Sequence, residues 1–126
     1  MAAAMVRGWG LSPRLHREFT HGTLTITTRS QFPSLQAEAP AAQWPGAKAG
    51  LGVITFNGPQ GPGYFKGGHN DSTANMMVCL TKSQRCIIIL SNDVRAERKF
   101  PNLVEALMGP TGTPWRWEYP DADYSR

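Results

Sequence analysis

The sequence predicts an α+β fold, an antiparallel sheet followed by a C-terminal helix. Three observations carry that expectation. Four short β-rich segments follow one another after Gly50, separated by turn residues. The last two, residues 75–80 and 86–90, are joined only by the polar stretch 81–84, which is hairpin spacing. Beyond Ser91-Asn92-Asp93 the apolar spacing changes from that of a strand to that of a helix.

The elements follow in order. Residues 2–9 read as the end of a helix, broken by Gly8 and Gly10. Ser12-Pro13 reads as an N-cap with proline at the first helical position, opening a short helix to about Phe19. Residues 24–28 are β-rich but short. From 30 to 49 the chain is rich in Pro, Ala, Ser and Gln and reads as an extended loop, with Trp44 as its anchor. Strands are expected at 51–56, 64–68, 75–80 and 86–90, with residues 57–63 a Gly/Pro turn cluster. The last two are apolar at nearly every position, so both of their faces are expected to be covered. A helix then runs in earnest from Pro101, with Phe100, Leu103, Val104 and Leu107 as its stripe, and Gly109-Pro110 stops it. The tail carries Trp115, Trp117 and Tyr119, expected to pack against the sheet, and then turns acidic. Three regions result: 1–49, 50–109 and 110–126.

The chain has 126 residues, 13 of them Gly and 10 Pro, which suits one small, loop-rich domain or a piece of a larger one. Net charge is +4 with no run of five or more Lys/Arg, so no dedicated nucleic-acid surface is expected. No apolar stretch is long enough to span a membrane. The apolar start is too short and wrongly flanked for a secretory signal. Cys79 and Cys86 lack metal-ligand spacing, and no cofactor or metal is implied. With 81–84 as the loop, Cys79 faces Cys86 across the hairpin; both are expected as free, buried thiols. The chain has too few helices to cover such a sheet. That mismatch predicts a domain without part of its cover, and self-association through the exposed apolar sheet.

The run Tyr64-Phe65-Lys66-Gly67-Gly68-His69-Asn70-Asp71 carries the chemistry. It puts a cation on a strand, followed by two glycines. Gly50-Leu51-Gly52 precedes it, two apolar strands follow, and the second ends in Ser91-Asn92. In this order and spacing, residues 50–107 resemble the C-terminal part of the serine β-lactamase and penicillin-binding-protein superfamily, nearest its class C β-lactamase and esterase-like branch. The resemblance implies an incomplete half of a β-lactamase/transpeptidase-like fold, with residues 1–19 matching the last helices of a helical subdomain. It implies acyl transfer through a serine ester on a β-lactam, a peptidoglycan peptide or a small ester. Members are often periplasmic or secreted.

Lys66-Gly67-Gly68 stands at the family's third motif, where the cation binds the substrate carboxylate. Gly67 replaces a common hydroxyl, leaving one substrate hydrogen bond to another group or to none. Gly68 allows close approach of a ligand backbone. His69 and Asn70 are expected in the pocket wall, with His69 suited to acid–base work or to a structural hydrogen bond. Bland readings stand beside these: Lys66 as an edge-strand charge that blocks aggregation, and the glycines as a bulge. The family's Ser-x-x-Lys nucleophile and Tyr-x-Asn motif are absent. The chain alone is therefore expected to be inactive, supplying the site that binds a small-molecule substrate in a parent enzyme. The alternative is a non-catalytic module that binds a ligand or partner.

Overall fold

A computed structural model of the chain describes residues 2–31 and 44–122. The elements are α1 (Ala2–Arg7), α2 (Pro13–Thr20), β1 (Leu24–Thr25), β2 (Lys48–Ala49), β3 (Ile54–Gly58), β4 (Gly61–His69), β5 (Ala74–Leu80), β6 (Arg85–Ser91), a 3-10 helix (Val94–Lys99), α3 (Phe100–Met108) and α4 (Trp115–Glu118). The six strands form one antiparallel sheet in chain order, β1 to β6. The α+β class follows from this arrangement.

Local signals act where the residues place them. Ser12 caps α2, its hydroxyl accepting from Leu15 N at 3.2 Å. Gly61, at φ 94°, opens β4 straight after the two-residue turn 59–60. The β5–β6 hairpin pairs Cys79 with Cys86 and Leu80 with Arg85, the register that a four-residue loop dictates.

Alternation along β4 sends Phe65, Gly67 and His69 to one face and Tyr64, Lys66 and Gly68 to the other. The first face holds the main core. Phe65, Met76, Val78 and Leu80 pack there under Phe100, Val104 and Met108 of α3 and under Trp115, Trp117 and Tyr119. Burying each large side chain contributes roughly 1.5–3 kcal/mol. The second face is covered only in part. The row Tyr64–Cys79–Cys86 lies under Val6 of α1 and Phe19 of α2, with Phe19 edge-on to Tyr64 at 5.5 Å. In the next rows, Lys66–Met77–Ile88 and Gly68–Asn75–Leu90, Met77 is half-buried against this cluster and the other five residues are exposed.

Several expectations are corrected. Cys79 and Cys86 are joined in a disulfide, with Cα atoms 4.1 Å apart, so they are not free thiols. Direct opposition on the pleat brings the sulfurs within bonding reach. β6 is not covered on both faces: Ile88 is 46% and Leu90 76% exposed, because α1 ends its cover at Cys86. The expected loop 30–49 contains β2, which pairs with β1 and β3; residues 32–43 lie outside the described residues. The strand expected at 51–56 starts at Ile54, since the Gly50 N–H donates to the Val53 carbonyl in a turn. The buried stripe of α3 is Phe100, Val104 and Met108, while Leu103 and Leu107 are exposed on its flank. The aromatic tail packs on the sheet as expected, and does so as a short helix that the sequence did not announce.

Candidate functional site

β4 is longer than its neighbour β3. Their pairing ends at Ile54–Phe65, whereas β4 continues to His69 against β5 alone. From Lys66 to His69 the edge of β4 that faces away from β5 has no strand partner among the described residues. A cleft of about 230 Å³ opens there, lined by Gln31, Ile54, Phe65, Lys66, Gly67 and Glu118 among others.

Lys66 is exposed, and its ammonium donates to the Gly67 carbonyl at 2.7 Å. The side chain thus borders the open cleft and not the core, as a lone lysine must to keep its solvation. Gly68 has open space where a side chain would be. His69 turns to the first face, where Nδ1 lies 3.1 Å from Glu97 Oε2 on the 3-10 helix. Asn70 sits apart from the cleft. Its Oδ1 accepts from Ser72 N at 2.9 Å and Thr73 N at 2.8 Å, which fixes the β4–β5 turn.

Gly67 brings in a residue that sequence reasoning missed. A Cβ built on Gly67 would overlap Oε1 of Glu118. Glu118 ends α4 and is only 6% exposed. Burial pushes its carboxyl up to about 7; the charge of Lys66 opposes the rise and that of Glu97 adds to it. The amide of Gln31, turned to donate, lies 3.1 and 3.3 Å from the two carboxylate oxygens. Two bonds hold this corner together: Gln31 N donates to the Trp117 carbonyl at 2.7 Å, and Trp117 Nε1 donates to Thr28 Oγ1 at 3.1 Å. The signal in the sequence was a glutamate between two buried aromatics, but nothing there tied it to a glycine far upstream.

The cleft therefore has an exposed cation on one wall, a buried acid on the other and, among the described residues, an unpaired strand edge between them. No serine, threonine or cysteine among the described residues lines it. Among the described residues no three His, Cys, Asp or Glu side chains are grouped to hold a metal ion. No helix among them is long and apolar enough to cross a membrane. The arrangement can take an extended polar molecule along the β4 edge, its anionic end at Lys66. Compared with known proteins, the chain matches no family model, no curated protein and no solved structure.

Proposed function

We propose that this chain is the sheet half of a serine hydrolase related to the β-lactamases and penicillin-binding proteins, and that it supplies the strand that binds the substrate carboxylate. One observation carries the reading: β4 outruns β3 at Lys66-Gly67-Gly68, so the motif stands on an open strand edge beside a cleft. The half-bare second face supports it. Lys66, Gly68 and Asn75 are exposed there, which is where a domain carrying the reactive serine would sit. On this reading the nucleophile comes from outside these residues, and the chain by itself binds without turnover.

The test compares a carboxylate-bearing β-lactam with its methyl ester, using binding-induced shifts of the β4 amides. Lys66→Ala is expected to weaken the acid ~10-fold, the worth of one charge-assisted hydrogen bond, and to leave the ester nearly unchanged. Equal loss for both would remove Lys66 from carboxylate binding. Hydrolysis of a chromogenic β-lactam or nitrophenyl ester by this chain would contradict the missing nucleophile.

A second reading, a ligand-binding module without catalysis, draws on Glu118. A buried acid facing Lys66 suits a ligand that carries both a donor and an anion. It predicts that binding of the acid depends on Glu118 as well as on Lys66, so that Glu118→Gln weakens it too.

A further inference from the structure

Among the described residues β6 is the last strand of the sheet and pairs only with β5. It is seven residues long. Edge strands in folded proteins are usually short, or interrupted by lysine, proline or a bulge, because an open edge is a template for another strand. β6 has none of these between its ends. Its middle reads Cys86-Ile87-Ile88-Ile89-Leu90, and its pairing with β5 is continuous from Arg85 to Ser91. The opposite edge is different, since β1 has two residues. The β6 edge also lies in a groove of about 620 Å³. Ala2 and Ala3 of α1 wall it on one side, Leu107 and Met108 of α3 on the other, and residues 85–88 form its floor. The groove runs along the free edge of β6 between the two covering helices, where an added strand would lie.

We infer that a second copy of this chain adds its own β6 to this edge, antiparallel about a twofold axis through Ile88, so that the two sheets become one. The strand is its own complement in that register. Ile88 meets Ile88, Ile87 meets Ile89, and Cys86 meets Leu90 of the second copy. Leu90, 76% exposed in one chain, then lies opposite Cys86, whose Sγ is 3.6 Å from the Ala2 carbonyl. The small side chains of Ala2 and Ala3 leave room for it, so α1 of each copy covers the bare leucine of the other. Arg85 falls opposite Ser91 of the second copy, so no like charges face each other at the ends. A one-residue slip would turn every apolar side chain to the wrong face. The contact closes on itself, because a twofold pairing uses the β6 edge of both copies. The inference is independent of the carboxylate site, which is on β4 with β5 between the two.

Sedimentation velocity on the full chain tests this. The expected result is a concentration-dependent species of twice the 13.8 kDa chain mass. Ile88→Lys should weaken association at least ~tenfold by setting two ammonium groups across the axis. Ile88 is 46% exposed, so the single chain accommodates the lysine, and an unchanged circular dichroism spectrum checks that it does. As an independent measurement, Ile88→Cys should cross-link to itself on mild oxidation. Asn75→Cys, exposed on the same face one strand further in, should not. A monomer at every concentration, a dimer indifferent to Ile88→Lys, cross-linking equal at both positions, or open-ended aggregates in place of a dimer would each overturn the inference.

Discussion

Gly67 and Glu118 occupy one volume: the space a Gly67 side chain would fill is taken by the Glu118 carboxylate. The strand and the C-terminal helix are thereby keyed to each other. Gly67→Ala should displace the buried acid and lower stability by roughly 1–3 kcal/mol. In Glu118→Ala the same substitution should cost much less. Urea unfolding of the four proteins of this double-mutant cycle checks it, and simple additivity would show that the two residues are not coupled.

The buried acid also sets a pH dependence. Its folded pKa of about 7 lies above its ordinary 4.5, so between these values the folded state holds the proton more often than the unfolded one. Stability is then fully present below the ordinary value and declines as pH rises through about 7, by up to about 3 kcal/mol. His69, Glu97 and Lys66 are the other charges nearby. Glu118→Gln, which keeps an acceptor for Gln31, should flatten this decline and be the more stable protein in mild alkali. Parallel stability curves for the two proteins would exclude Glu118 as the source.

Tyr64 is fully buried and its hydroxyl has no hydrogen-bond partner among the described residues. Burial pushes the hydroxyl up to about 12. Tyr64→Phe removes an unsatisfied group and keeps the ring contact with Phe19. It should raise stability by about 1 kcal/mol or leave it unchanged. A clear loss in thermal unfolding would mean that the hydroxyl is satisfied in solution.

The Cys79–Cys86 disulfide closes a loop with a sequence separation of 7. So short a loop removes limited freedom from the unfolded chain, about 2–3 kcal/mol in the loop-entropy account. Replacing both cysteines by alanine should lower the melting temperature and leave the hairpin register intact, because Leu80–Arg85 and Val78–Ile87 still pair. Loss of the β6 amide pattern in the spectrum of this variant would show that the bond defines the register.

The parts of the fold that local chemistry determines were legible in the sequence. The hairpin register at Cys79–Cys86 follows from a four-residue loop, and the N-cap at Ser12 from a side chain that reaches Leu15. What depends on distant partners was not legible. β2 is two residues long, in a stretch that reads as loop, and exists through pairing, not propensity. Leu90 reads as a core residue but lies where the covering helix has ended. The disulfide required oxidation as well as proximity, and spacing reveals only proximity. Within the candidate site, Lys66 stood out as a cation ahead of two glycines. Glu118 did not, because its role comes from burial against a strand from the middle of the chain.

Sheet order equals chain order, and this bears on how the molecule assembles. β3 to β6 are joined by turns at 59–60, 70–73 and 81–84, so each pairing closes a short loop at small entropic cost and can form on the microsecond scale of hairpins. The cover over the candidate cleft is of another kind. Thr28 and Gln31 meet Trp117 from nearly opposite ends of the chain. The hairpins can zip without them, whereas the corner that holds Glu118 waits for both ends to arrive. The candidate cleft thus rests on contacts of higher sequence separation than the β3–β6 hairpins, and the burial of Glu118 depends on those contacts.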